Sequence, residues 1–376
     1  MATGPRIRVM IADDSAFMRK VLHSIISADP QCEVVGEARD GRDAVTQSEQ
    51  MHPDVITMDI NMPHMDGLAA TEVIMSTKPV PIVIVSSESR DGAAPTLRAL
   101  ELGAIDFVAK PSSGIDLDMN SVRDELMRKI KMAAKVRVVR TAGKFGTAQA
   151  TMSAAAETAS GAAAAPAAAR PVVPVNPTSK IPVVVIAAST GGPATLMKFM
   201  PTFPRNFPGA VLLVQHMPGM FTSQFTAQLQ EVCAIKVKDA EPGEIVQAST
   251  VYVCPGTHHL RLTQTGRVVL DDGPRVSGYK PCADLTMETA AMFAGPMCIG
   301  AILTGMGNDG SNGSLAIKAA GGHVIAQDES TAVIFGMPAE AIKTGAVDQV
   351  LPLETIFPAI EKRVLYVFGA AKVGAL

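Results

Sequence analysis

Pro182-Val183-Val184-Val185-Ile186 runs straight into Ala187-Ala188-Ser189-Thr190-Gly191-Gly192. The first five residues are apolar and rich in β-branched side chains, the pattern of a buried strand, and Gly-Gly-Pro before residues 194–200 predicts a turn opening a helix. Ser189 is thereby placed on a tight strand-to-helix turn. Such a turn lifts a hydroxyl off the sheet edge and leaves helix-start N–H groups unpaired, ready for a developing oxyanion. Ala-x-Ser-x-Gly is one residue away from the Gly-x-Ser-x-Gly nucleophile elbow. Read alone, such a serine is more often a helix cap.

The rest of the chain gives that serine its context. At 376 residues with 47% hydrophobic content, the length suggests two domains, each with enough apolar material for a core. A formal net charge of -3 with 18% charged residues leaves no basic footprint for nucleic acid or a membrane surface. The start resembles no signal peptide, and no window approaches the ~20 apolar residues of a spanning helix, so a cytoplasmic protein without membrane insertion is expected. Cys32, Cys233, Cys254, Cys282 and Cys298 show no metal-ligand spacing and read as reduced, mostly buried thiols. The 21 methionines read as core filler.

Towards the N-terminus, apolar strands are predicted at Ile7 to Ala12, Val34-Val35, Val55 to Met58, Ile82 to Val85 and Ile105 to Val108. Helical stretches lie between them, and a last helix is predicted from about Met119 to Val136. Alternation of this kind predicts an α/β, doubly wound parallel sheet. In such a sheet ligands gather at the carboxyl ends of the strands, where Asp13, Asp14, Asp59, Ser86 and Lys110 stand. Three carboxylates brought together repel one another unless a cation joins them, and oxygen-only ligands suit Mg²⁺. Asp59 is then a candidate phosphoryl acceptor, with Lys110 neutralising the incoming group and Ser86 hydrogen-bonding it once attached. Taken singly, Asp13 and Asp14 also read as helix-start charges and Lys110 as a solvated residue.

Together these residues resemble the receiver domain of bacterial response regulators, over about residues 5–138. The matching pieces are Asp13-Asp14, Asp59 in Met58-Asp59-Ile60-Asn61-Met62-Pro63, Ser86, and Lys110-Pro111. The resemblance implies that Asp59 takes a phosphoryl group from a sensor histidine kinase, with Mg²⁺ held by Asp13, Asp14 and Asp59. It also gives Phe107 the place of an aromatic switch residue, alongside Ser86 and Lys110.

Residues 141–180 turn Ala-rich and Pro-punctuated, as in Gly161-Ala162-Ala163-Ala164-Ala165-Pro166. Too few large apolar side chains remain for a core, so 139–180 is expected to be a linker between domains 1–138 and 181–376. As a flexible coil it would span on the order of 35 Å, although alanine runs also favour helix.

Beyond the linker the alternation resumes. The strand Pro182 to Ile186 delivers Ser189, Ala210 to Gln215 delivers His216, and Cys298 to Leu303 leads to Asp309, with a helix expected from near Ser314. In a parallel sheet a hydroxyl, an imidazole and a carboxylate would then share one edge, as an acyl-transfer triad requires. His216 would take the proton from Ser189, and Asp309 would fix the imidazole tautomer. The glycines around Asp309 let backbone approach and supply an oxyanion donor, for example at Met306. Separately, His216 also reads as a strand-end histidine and Asn308-Asp309-Gly310 as a turn. His258 and His259 compete for the base, but adjacent strand residues face opposite ways, and the strand before His216 is the more apolar. His23, His52, His64 and His323 read as solvated or local.

This half is similar to the catalytic domain of the chemotaxis protein-glutamate methylesterases, the CheB family. The matches are Ser189 in Ala-Ser-Thr-Gly-Gly, His216 in Val-Gln-His-Met-Pro, Asp309 in Leu-Thr-Gly-Met-Gly-Asn-Asp-Gly, and Pro338. The resemblance implies a Rossmann-like esterase domain beside a flavodoxin-like receiver. It implies a Ser189, His216 and Asp309 triad, with backbone at Thr190 and Met306 as the oxyanion hole and no cofactor at the esterase site. The implied reaction is demethylation of glutamate γ-methyl esters, and deamidation of glutamine, on methyl-accepting chemotaxis receptors, activated by a CheA-type kinase. Two departures stand out. Ala187 replaces a glycine, and in Ser277-Gly278-Tyr279-Lys280-Pro281-Cys282-Ala283-Asp284, Tyr279 and Cys282 replace a histidine and a serine. Rival readings are a serine hydrolase for small esters or peptides and a non-catalytic adaptor. The order Ser, His, Asp differs from the Ser, Asp, His order of α/β-hydrolases, and no basic recognition helix supports a DNA-binding output.

Overall fold

In the computed structural model, residues 5–86, 90–110, 119–136 and 181–373 are described. The linker assigned to 139–180 and Pro111 lie outside them. The N-terminal half runs β1 (Ile7–Ala12), α1 (Ala16–Ser27), β2 (Cys32–Ala38), α2 (Gly41–Met51), β3 (Val55–Met58), α3 (Gly67–Thr77), β4 (Ile82–Ser86), α4 (Arg90–Glu101), β5 (Asp106–Ala109) and α5 (Met119–Ala133). Its five strands are parallel in the order β2-β1-β3-β4-β5. The strand order reverses between β1 and β3, and this opens a crevice at their carboxyl ends. Local chemistry starts the helices there: Ser15, Asp40 and Asp66 each accept a backbone N–H of the following first turn.

From residue 183 the chain runs β6 (Val183–Ala188), α6 (Gly192–Phe199), β7 (Ala210–Gln215), α7 (Gly219–Val232), β8 (Lys236–Asp239), β9 (Thr250–Val253), β10 (His259–Leu262), β11 (Val268–Asp271), α8 (Ala283–Ala294), β12 (Cys298–Ile302), α9 (Ser311–Ala319), β13 (His323–Gln327), α10 (Met337–Lys343), β14 (Gln349–Leu351) and α11 (Leu353–Val373). Seven parallel strands are ordered β14-β13-β12-β6-β7-β9-β8, while β10 and β11 form a separate antiparallel hairpin. Central β6 is buried on both faces. Val184, Ile186 and Ala188 pack with Leu196, Phe199, Phe203 and Phe207, whereas Val183, Val185 and Ala187 pack with Met287, Ala290 and Ala294. Burying each such aliphatic side chain contributes about 1.5–3 kcal/mol, so a charge at Val185 would undo the centre of the sheet.

The α/β class and both parallel sheets agree with the sequence expectation, with local shifts. The helix expected near Ser314 begins at Ser311, because the Asp284 carboxylate accepts N–H bonds from Gly310 and Gly313. Ser314 is already inside it, its hydroxyl returned to Gly310 O at 2.6 Å. The helix expected over residues 194–200 occupies Gly192–Phe199, with Pro193 in its first turn. The last helix of the N-terminal half ends at Ala133 rather than Val136, with Leu126, Ile130 and Ala133 buried. The two halves touch: Phe107 on β5 lies 4.5 Å from Phe221 on α7, ring centre to ring centre.

Candidate active site

The register of the larger sheet assembles three side chains. Ala188 pairs with Gln215 and Ala187 with Ile302, so Ser189, His216 and the loop after β12 emerge side by side. This is where the chain reverses direction across the sheet, between β6 and β12, the position at which open α/β sheets leave a crevice. His216 N donates to Ala188 O at 3.0 Å and Ser189 N to Thr304 O at 3.0 Å. Gly191 takes φ 73°, and a Cβ there would lie 2.5 Å from Val333 Cβ, so the turn needs glycine twice over.

Nε2 of His216 stands 2.7 Å from Asp309 Oδ2. A carboxylate only accepts, so this nitrogen carries the proton and Nδ1 is the basic nitrogen of the neutral ring. Asp309 is fully buried and also accepts from Ala283 N at 2.6 Å, Asp284 N at 2.9 Å and Gly310 N at 3.1 Å. Burial pushes its carboxyl up, but the imidazole and these N–H groups outweigh burial and hold it below the usual carboxylate range. The first two donors open α8, whose N-terminal dipole favours the charge. The Cys282 thiol adds a contact to Asp309 Oδ1 at 3.3 Å, and burial followed by that carboxylate pushes it up to about 12.

Among the described residues, the N–H groups of Thr190 and Met306 donate to no internal acceptor, and the Ser189 hydroxyl has no hydrogen-bond partner. All three residues line one cavity of about 280 Å³ with His216 and Tyr279. Its opposite wall belongs to the N-terminal half, with Asp106, Phe107 and Lys129. The competing histidines lie elsewhere. His259 is buried on β10 with Nε2 3.0 Å from Pro274 O, and His258 Nδ1 is 2.8 Å from Thr257 Oγ1.

Two residues inside the quoted motifs, given no role from sequence, brace the site. Gln215 Nε2 donates to both Ser189 O (2.9 Å) and His216 O (3.0 Å). Buried Thr304 donates through Oγ1 to Thr190 O and accepts from Ile334 N, each at 2.9 Å. Sequence periodicity reads such residues as strand-end polar positions, since their partners are set by tertiary packing.

The second cluster lies at the carboxyl ends of β1, β3 and β5. Lys110 Nζ reaches Asp13 Oδ2 at 2.9 Å and Asp59 Oδ2 at 2.8 Å. Asp13 and Asp59 are buried and Asp14 exposed, and one ligand oxygen from each lies within 4.8 Å of the others. Burial pushes the Asp59 carboxyl up even with Lys110 beside it, as expected of a carboxylate cluster short of positive charge. Oxygen donors at this spacing fit a hard divalent cation. Ser86 is buried at the end of β4, where its carbonyl accepts Lys110 N at 2.7 Å.

The CheB methylesterase family profile matches residues 184–360 and the response regulator receiver domain profile residues 9–120. A protein-glutamate methylesterase/protein-glutamine glutaminase of Pyrococcus abyssi is 44% identical over 375 residues, covering 99% of this chain and 97% of its own. The chain belongs to the protein-glutamate methylesterase family. A second family member of that name, from Symbiobacterium thermophilum, is 43% identical over 377 residues, covering 95% of this chain and 97% of its own. The crystal structure of the Thermotoga maritima CheB methylesterase catalytic domain is 41% identical, with a TM-score of 0.46, and covers 49% of this chain and 98% of that one. Within this family member, Ser189, His216 and Asp309 stand at three adjacent strand ends, and Asp13, Asp14, Asp59 and Lys110 at the corresponding edge of the receiver sheet.

Proposed function

We propose that this chain is a phosphorylation-activated serine esterase acting on glutamate γ-methyl esters, and on glutamine amides, of methyl-accepting chemoreceptors. The observation that carries the reading is the His216 imidazole, tied through Nε2 to a fully buried Asp309 and standing at the strand end next to the one that bears Ser189. Nδ1 takes the proton as Ser189 Oγ attacks the ester carbonyl, and Asp309 stabilises the resulting imidazolium. The N–H groups of Thr190 and Met306 receive the oxyanion. His216 returns the proton to the departing methanol, and water then cleaves the acyl-serine to release glutamate. No cofactor enters these steps.

In the receiver, Asp59 accepts the phosphoryl group from a CheA-type sensor kinase. Asp13, Asp14 and Asp59 would hold Mg²⁺, which supplies charge neutralisation for phosphoryl transfer when bound. Lys110 and Ser86 then contact the attached phosphoryl oxygens, and Phe107, packed on Phe221, passes the change to the esterase domain. The domains are assigned to 1–138 and 181–376, joined by 139–180, in a cytoplasmic protein that binds no nucleic acid. Among the described residues no helix is long and apolar enough to cross a membrane.

The test is methanol release from methylated receptor membranes, with and without Mg²⁺ and a small phosphodonor. Ser189→Ala is expected to lower turnover on the order of 10³-fold or more. Asp59→Asn is expected to retain the basal rate and lose the phosphodonor response. Release independent of Ser189 would overturn the assignment.

A further inference from the structure

Tyr279 belongs to none of the roles above, yet it touches His216 and the residue before Asp309. Its ring lies 4.8 Å from the His216 ring, centre to centre, with only 18° between their planes. Its hydroxyl reaches Asn308, the residue before Asp309, accepting from Asn308 N at 3.3 Å and donating to Asn308 Oδ1 at 3.4 Å. One side chain thus spans the base and the loop that carries its carboxylate.

The chain is built to deliver it there. Val276 and Tyr279 exchange both backbone hydrogen bonds, at 3.0 and 2.9 Å, around Ser277 (φ 52°) and Gly278 (φ 87°). Two left-handed central residues define a tight hairpin turn of the primed type, in which a serine pays strain that glycine does not. On the receiving side Gly307 has φ 96°, and a Cβ there would lie 1.9 Å from the Tyr279 hydroxyl oxygen. Position 307 is therefore a glycine seat for the phenol as well as a turn.

We infer that Tyr279 is a positioning residue for the esterase reaction: its ring fixes the plane of the His216 imidazole while its hydroxyl holds the Asn308-Asp309 loop in register with that plane. Without a partner on its open face, an imidazole at a strand end rotates about χ2, a broad torsion with no steep well. Rotation breaks the Nε2 bond to Asp309, on which the proposed proton transfer from Ser189 to Nδ1 depends. Stacking against a ring that is itself anchored removes that freedom before substrate arrives, which is where preorganisation acts on kcat. The stacked face also favours the imidazolium formed when Ser189 gives up its proton.

The inference rests on the proposed roles of Ser189, His216 and Asp309, and two readouts keep the two readings apart. In the full-length protein with Mg²⁺ and phosphodonor, methanol release from methylated receptor membranes is compared for Tyr279→Leu, Tyr279→Phe and Tyr279→His. Tyr279→Leu is expected to lower kcat on the order of 10- to 100-fold with KM nearly unchanged, while the planar replacements recover the part that stacking supplies and Tyr279→Phe stays below the wild type by the part that the bonds to Asn308 supply. Independently of turnover, nitrogen NMR of His216 should show the Nε2–H tautomer in the wild type and in Tyr279→Phe, and a mixture of tautomers in Tyr279→Leu. An unchanged kcat in Tyr279→Leu, a rise in KM alone, or an unaltered tautomer would overturn the positioning role. A normal rate in Ser189→Ala would instead overturn the site assignment while leaving the tautomer result standing.

Discussion

The Thr190 hydroxyl donates to the Asp106 carboxylate at 2.5 Å, joining the residue after Ser189 to strand β5 of the receiver. Asp106 is held in turn by Lys129 Nζ at 3.0 Å, and Lys129 also reaches Phe107 O at 2.6 Å. A carboxylate bound there sits against backbone donors proposed to receive an oxyanion, so it opposes the same charge that catalysis must develop. The receiver therefore meets the esterase domain at a chemically sensitive point, next to Phe107 on Phe221.

Removing that charge should weaken the contact between the receiver and the esterase domain. A hydrogen bond to a charged group contributes about 1.5–3 kcal/mol, so Asp106→Asn is expected to raise methanol release without phosphodonor by roughly 10-fold. The activated rate should change little, which compresses the ratio of activated to basal activity. A basal rate equal to that of the wild type would show that the contact does not restrain the enzyme.

The lowered titration of Asp309 predicts a pH signature in stability. Its folded carboxyl titrates below the ordinary value of 3.8 because His216 and the Ala283 and Asp284 N–H groups outweigh burial. Charged Asp309 thus stabilises the fold at every pH above its unfolded value, and that contribution disappears as pH falls through the lower folded value. In urea unfolding, Asp309→Asn should be less stable than the wild type at about pH 5. The margin should narrow below about 4 as the wild-type carboxylate protonates. A margin independent of pH would contradict this account of the carboxylate.

Thr304 offers a test of the scaffold. It is fully buried, and its hydroxyl serves Thr190 O and Ile334 N together. Thr304→Val keeps the shape but strands a carbonyl and an N–H away from water, so a loss of about 2–3 kcal/mol is expected. Calorimetric unfolding measures that loss, and the esterase rate should fall with it because Thr190 moves. A variant as stable as the wild type would mean that water replaces the hydroxyl.

Much of the fold was legible because strands buried on both faces leave continuous apolar runs. Val183 to Ile186 and Ala210 to Gln215 were readable for that reason, and each pointed to the polar residue at its end. The helix boundary at Ser311 was not, because Asp284, distant in sequence, holds the N–H groups of Gly310 and Gly313. Short strands such as Lys236–Asp239 and the hairpin of β10 and β11 were missed, being brief and partly polar.

The sequence by itself determined the α/β class, the two carboxylate-bearing edges and the placing of Ser189, His216 and Asp309 after apolar strands, because periodicity and strand-end position are local properties of the chain. Only the tertiary structure decided which imidazole nitrogen faces Asp309, that Tyr279 stacks on His216, and that Asp106 reaches Thr190. Those contacts join residues far apart in the chain, and the sheet register and the packing of one domain on the other set their distances.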